Sequence, residues 1–174
     1  MPAALLHKEK QIDISKNMKP VIGISAKHLE KSISLLTNLL ADEMTLYIKT
    51  RKFHWNVKGE SFMELHKLFE LHYSELEEIV DAVAERISKL GGNTIGTLKE
   101  FAETTRLKES PGKYGSQKEM LKELLGDHET LAMEARKDIE KDGEKIKDEG
   151  TVDFLIKILQ QHENIAWVLR RYLS

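Results

Sequence analysis

Five side chains between residues 54 and 85 are of the kinds that bind first-row metal ions: His54, His66, Glu70, Asp81 and Glu85. The chain has no cysteine, which excludes disulfides, thiolate zinc sites and thiol catalysis and leaves imidazole and carboxylate as the available ligands. His66 and Glu70 stand four residues apart, as do Asp81 and Glu85, so on a helix each pair turns toward one side. At about 100° per residue, all four fall within roughly 100° of one another around the axis. Yet fifteen residues separate His66 from Asp81, which is roughly 22 Å at about 1.5 Å per residue. Metal–ligand bonds are about 2 Å long, so one ion cannot reach both pairs of the same helix. Two copies of the helix, antiparallel about a two-fold axis, would set each pair against the other pair of its mate and create two identical sites.

His54 fits the same scheme. The run Asn56-Val57-Lys58-Gly59-Glu60-Ser61 reads as a helix stop and restart, with Gly59 as the C-cap and Ser61 as the N-cap. His54 then belongs to the last turns of one helix and His66 to the first turns of the next. In an antiparallel hairpin the two lie at similar height, so one chain would present His54, His66 and Glu70 while its mate contributes Asp81 and Glu85. His66, Glu70, Asp81 and Glu85 each follow a core-stripe residue (Leu65, Phe69, Val80, Ala84), so they flank the core where a partner can dock. Taken singly, either pair is more often a solvated face than a ligand set. Their alignment with His54 is what favours metal.

The elements that must position these groups are four long amphipathic helices. The first is expected over about 25–57, with Ile33, Leu36, Leu40, Met44 and Tyr47 on its apolar stripe. The second runs over about 61–90 through Leu65, Phe69, Tyr73, Leu76, Val80, Val83 and Ile87, and Gly91-Gly92 ends it. The third starts near Ser116, where Glu119 completes a capping box. The fourth follows a polar turn over 143–150 and carries Val152, Leu155, Leu159, Ala166 and Leu169. Short turns make helices one and two, and three and four, antiparallel neighbours, whereas 91–115 is long enough to run the length of a bundle and carries a short helix at 98–103. The expected fold is all-α, a ferritin-like four-helix bundle over 25–174 with a long crossover between helices two and three, preceded by a tail over 1–24.

At 174 residues the chain is read as one domain. Charged residues make up 32% and aromatics 6%, which suits solvated helices better than sheets. A formal net charge of −2 attracts neither nucleic acid nor membrane. No apolar run approaches the roughly 20 residues that span a bilayer, and the start lacks the order of a signal peptide, so a cytoplasmic location is expected. His28, His72, His128 and His162 fall on separate helical faces or apolar stripes and read as structural. The in-bundle diiron motif of ordinary ferritins, a glutamate three residues before a histidine, occurs at none of the seven histidines.

The run Arg51-Lys52-Phe53-His54-Trp55-Asn56-Val57-Lys58-Gly59, followed by Phe62, Leu65-His66, Phe69-Glu70, Asp81, Ala84-Glu85-Arg86 and Leu90-Gly91-Gly92, resembles the Dps mini-ferritins. The resemblance is dense over about forty residues, and the helix layout extends it from about residue 25 onward. It implies a homo-oligomeric shell of twelve chains with a dinuclear ferroxidase centre across each two-fold interface. There His54, His66 and Glu70 would face Asp81 and Glu85 of the mate. Some family members have aspartate where this chain has Glu70. Fe(II) would be oxidised, preferably by hydrogen peroxide, and stored as ferric oxide, protecting against oxidative damage. Zinc or manganese suits the same ligand types. Trp55 would lie near the centre and donate an electron when iron occupancy is incomplete, and Asp127 and Glu134 would line entry pores. DNA binding in the family uses lysine-rich tails. Here Lys8, Lys10, Lys16 and Lys19 face Glu9 and Asp13, so weak or absent DNA binding is expected at physiological salt. The competing reading is a DNA-compacting particle with little ferroxidase activity.

Overall fold

A computed structural model describes residues 20–174, with the side chains of 141–146 left aside. The expectations for the tail therefore lie, for residues 1–19, outside the described residues. Five helices follow in order: α1 Ala26–Asn56, α2 Phe62–Lys89, α3 Leu98–Thr104, α4 Gln117–Ile146 and α5 Glu149–Leu173. No strand occurs among the described residues.

Side-chain caps start every helix except α2. The Ser25 side chain accepts the His28 N–H at the head of α1. Reciprocal capping boxes, Thr97 with Glu100 and Ser116 with Glu119, open α3 and α4. The α2 terminus is a Schellman turn: Gly92 N–H reaches the Ile87 carbonyl, Gly91 N–H reaches that of Ser88, and Gly91 takes φ +83°. A Cβ at Gly91 would also meet the Pro20 ring at 2.7 Å, so glycine is required twice over.

Two boundaries differ from the sequence reading. Helix α1 stops at Asn56, and the left-handed Gly59 (φ +119°) lies in the connecting turn, while Ser61 makes no side-chain capping bond. The polar segment expected as a turn over 143–150 is mostly helical, since α4 continues through Gly143 to Ile146. Strong helix formers on both sides outweigh the roughly 1 kcal/mol cost of one interior glycine. The turn is confined to Lys147, at φ 49°, and Asp148, whose side chain caps α5 through the Thr151 N–H.

Helices α1 and α2 form one antiparallel hairpin and α4 and α5 the other, with α1 also meeting α4 and α3. The core is a single cluster that includes Leu36, Leu40, Phe53, Phe69, Leu76, Ile87, Leu124, Leu131 and Leu169. Charged side chains fasten the crossover to it. Fully buried Asp42 accepts from Thr105 Oγ1, the Arg106 backbone N–H and Arg106 Nε at 2.6–2.9 Å. Buried Lys49 donates to the Lys108 carbonyl and to Asp127, both at 2.6 Å. Asp148, also buried, accepts from Ser32, Thr151 and Arg86. Burial pushes the Asp148 carboxyl up, but these hydrogen bonds and the Arg86 charge outweigh it and hold the group below its ordinary value.

Candidate metal centre

The hairpin of α1 and α2 brings His54 and His66 face to face, with ring centroids 3.7 Å apart and planes 21° from parallel. His54 Nδ1 lies 2.8 Å from the His66 carbonyl oxygen, and His66 Nδ1 lies 2.9 Å from the His54 carbonyl oxygen. A carbonyl can only accept, so each Nδ1 carries the proton. In a neutral ring that leaves Nε2 with its lone pair, the form that binds metal. The reciprocal bonds therefore select the ligand tautomer of both rings and fix their orientation before any ion arrives. His54 is buried against the hairpin and His66 is half-buried.

Phe62 lies tilted against His66, with centroids 5.1 Å apart, and Tyr73 meets His54 edge-on at 5.2 Å. Arg51 joins this aromatic wall. It donates to the Tyr47 hydroxyl at 2.5 Å and lies 4.7 Å from the Tyr73 ring and 5.4 Å from that of Trp55. Tyr73 reads in the sequence as core stripe. The signal for a second role is its spacing from Glu70, three residues on and hence on the same side of α2. Trp55 is 63% exposed in the single chain, with Phe62 and Met63 exposed as well, so the rim of the histidine pair is apolar.

Glu70, Asp81 and Glu85 are all exposed. Helix α2 runs unbroken from Phe62 to Lys89, so the axial separation of the His66–Glu70 and Asp81–Glu85 pairs is fully present. Lys89 holds Glu85 through a 2.7 Å ion pair, and that hydrogen bond and charge keep the Glu85 carboxyl below its ordinary value. Among the described residues no three histidine or acidic side chains of one chain converge as a metal-holding set. The structure thus brings His54 and His66 together and leaves Glu70 short of closing a three-ligand set with them. Asp127 is engaged by Lys49, and Glu134 by Arg106 and Lys137.

His28 stands at the start of α1, while His72, His128 and His162 lie on the buried inner faces of α2, α4 and α5, in keeping with the apolar stripes read from the sequence. They meet in the bundle interior with Glu43, one residue from each long helix. Only tertiary packing superposes them, so no spacing along the chain announces the set.

Residues 33–174 match the sequence model of the ferritin-like domain. With the paired antiparallel hairpins and the long crossover, this places the chain in the ferritin-like class. DNA protection during starvation protein 2 of Bacillus anthracis is 36% identical over 143 residues, 82% of this chain and 96% of that one. DpsC from Streptomyces coelicolor has a TM-score of 0.85 at 31% identity, covering 88% of this chain and 89% of its own. A Dps protein of Vibrio cholerae O1, described as a member of a broad superfamily of ferritin-like diiron-carboxylate proteins, gives 0.83 at 29% identity, over 90% of this chain and 97% of that one. The chain belongs to the Dps family. Among the described residues no helix is long and apolar enough to cross a membrane.

Proposed function

We propose that the protein is an iron-detoxifying and iron-storing ferroxidase whose sites are completed between two chains. His54, His66 and Glu70 of one chain and Asp81 and Glu85 of its mate bind two Fe(II) ions, which hydrogen peroxide oxidises. The balance is two Fe(II), one peroxide and two waters giving two FeOOH and four protons. Two electrons pass from iron to the O–O bond, so no hydroxyl radical is released. The ferric product is stored in a shell of twelve chains.

The single observation that carries this reading is the reciprocal locking of His54 and His66 in the ligand tautomer at the end of an unbroken α2. It is a half-site whose carboxylate complement lies out of reach on the same helix. The exposed apolar rim of Trp55, Phe62 and Met63 suits burial against a second copy. Trp55 then stands close enough to the iron pair to supply an electron when only one iron is bound. Zn(II) and Mn(II) compete for the same nitrogen and oxygen ligands. DNA is not a main partner.

The test is oxidation of anaerobically added Fe(II) by peroxide in the assembled protein. Asp81→Ala should abolish the fast phase while the assembly keeps its size. A variant as fast as the parent would contradict the assignment.

A further inference from the structure

Each long helix sends one titratable side chain into the dry interior: Glu43 from α1, His72 from α2, His128 from α4 and His162 from α5, none of them more than 2% exposed. His162 Nε2 lies 2.8 Å from Glu43 Oε1, and His162 Nδ1 lies 2.8 Å from His128 Nδ1. A gap of that size between two ring nitrogens holds one proton. Two N–H bonds of about 1 Å would set their hydrogens about 0.8 Å apart, so one nitrogen must present its lone pair to the other. His128 and His162 therefore cannot both be imidazolium while this bond exists. In the unfolded chain nothing prevents it, and below a pH of about 6.5 both rings take a second proton. Folding thus excludes a proton that the open chain binds.

We infer that the His128–His162 bond is an acid-sensitive latch, which fastens α4 to α5 and through Glu43 to α1, and which gives way when both rings are protonated. The surroundings of His128 offer a second charge no help. His72 faces it from α2, with ring centroids 6.3 Å apart, as a neutral ring that burial pushes down to about 4. Glu43, the acid from α1, is taken by His162. On α4 itself Asp127 pairs with Lys49 and Glu129 with Arg170, and on α5 Glu163 pairs with Arg136. His128 Nε2 has no hydrogen-bond partner, so a proton there would be a buried, unsatisfied donor. Burial, with His162 and His72 beside it, accordingly pushes His128 well below its ordinary value. The stability that such a group contributes is complete above about 6.5 and is lost as pH falls from there toward the lower folded value. The latch uses none of the residues proposed to bind iron, so it stands apart from that reading.

Hydrogen exchange on the unaltered assembly, corrected for the intrinsic pH dependence of amide exchange, reads the latch directly. Peptides over 124–132 and 158–166 should lose protection as pH falls from about 6.5 to 5, with exchange rising by up to about tenfold per pH unit for each excluded proton. Protection that does not change with pH would overturn the latch. His128→Asn isolates the pair, because an amide still donates to His162 Nδ1 and cannot be charged. Its exchange should depend on pH less steeply than the parent's by about one proton, whatever its absolute stability. Parallel profiles for parent and variant would also overturn the proposal. The parent profile needs no substitution, so a flat one decides the matter even where the variant fails to fold.

Discussion

Two histidine groups lie within one bundle, and they differ in who holds them. At the mouth of the α1–α2 hairpin, His54 and His66 are held by each other's backbone carbonyls, beside an exposed apolar rim. In the interior, His128 and His162 are held by side chains, one by the other and His162 by Glu43 from α1. The first arrangement survives loss of either side chain, since a carbonyl left behind at the hairpin mouth can be hydrated. The second does not, because removing one member strands the others in a dry core. The same residue type thus serves a replaceable, outward-facing role at one place and a structural one at the other.

The largest effect that separates the two is on stability. His162→Ala leaves Glu43 and His128 buried without their shared partner, and about 3–5 kcal/mol should be lost. This is measured by denaturant unfolding at fixed protein concentration, and a loss below about 1 kcal/mol would mean that the core group is not coupled. His66→Ala should do the reverse. Fast iron oxidation should fall by at least about 10–100-fold, the range seen even when groups that only orient metal ligands are lost, and the unfolding midpoint should move little.

A third change examines the buried acid that ties α5 to α1 and α2. Asp148→Asn weakens the bonds to Arg86, Thr151 and Ser32 and should cost about 1–3 kcal/mol at neutral pH. The Asp148 carboxyl is held below its ordinary 3.8, so its contribution is complete above that value and is lost as pH falls through the lower folded value. The gap between parent and variant should therefore close on acidification below about 3.8. A gap independent of pH would show that the ionised carboxylate is not the source.

The pairing of His54 with His66 was legible in the sequence because its information is local. Pairs at i, i+4 on α2 and a short hairpin turn place His54, His66, Glu70, Asp81 and Glu85 without knowledge of the rest of the fold. The helices were legible for the same reason, from their stripes and from Ser116 with Glu119. The interior group was not. Glu43, His72, His128 and His162 sit on four helices, and each alone reads as a polar residue near an apolar stripe. Tyr73 was only faintly legible, since a ring on the core stripe is marked out by nothing but its three-residue spacing from Glu70. The turn expected over 143–150 was drawn too long because Gly143 is a strong local signal, whereas α4 runs on to Ile146, Lys147 is its C-cap and Asp148 caps the start of α5.

The central claim is that each metal site takes histidines from one chain and acids from another, and subunit mixing tests it most directly. His66→Ala and Asp81→Ala chains, each expected to be inactive alone, are unfolded together and reassembled in equal amounts. In a mixed pair one of the two sites is doubly damaged and the other is intact. Half of randomly formed pairs are mixed, so about a quarter of the parent rate of peroxide-driven Fe(II) oxidation should return. If the mixture stays as inactive as its components, although mass spectrometry shows mixed assemblies, the five residues do not act across an interface.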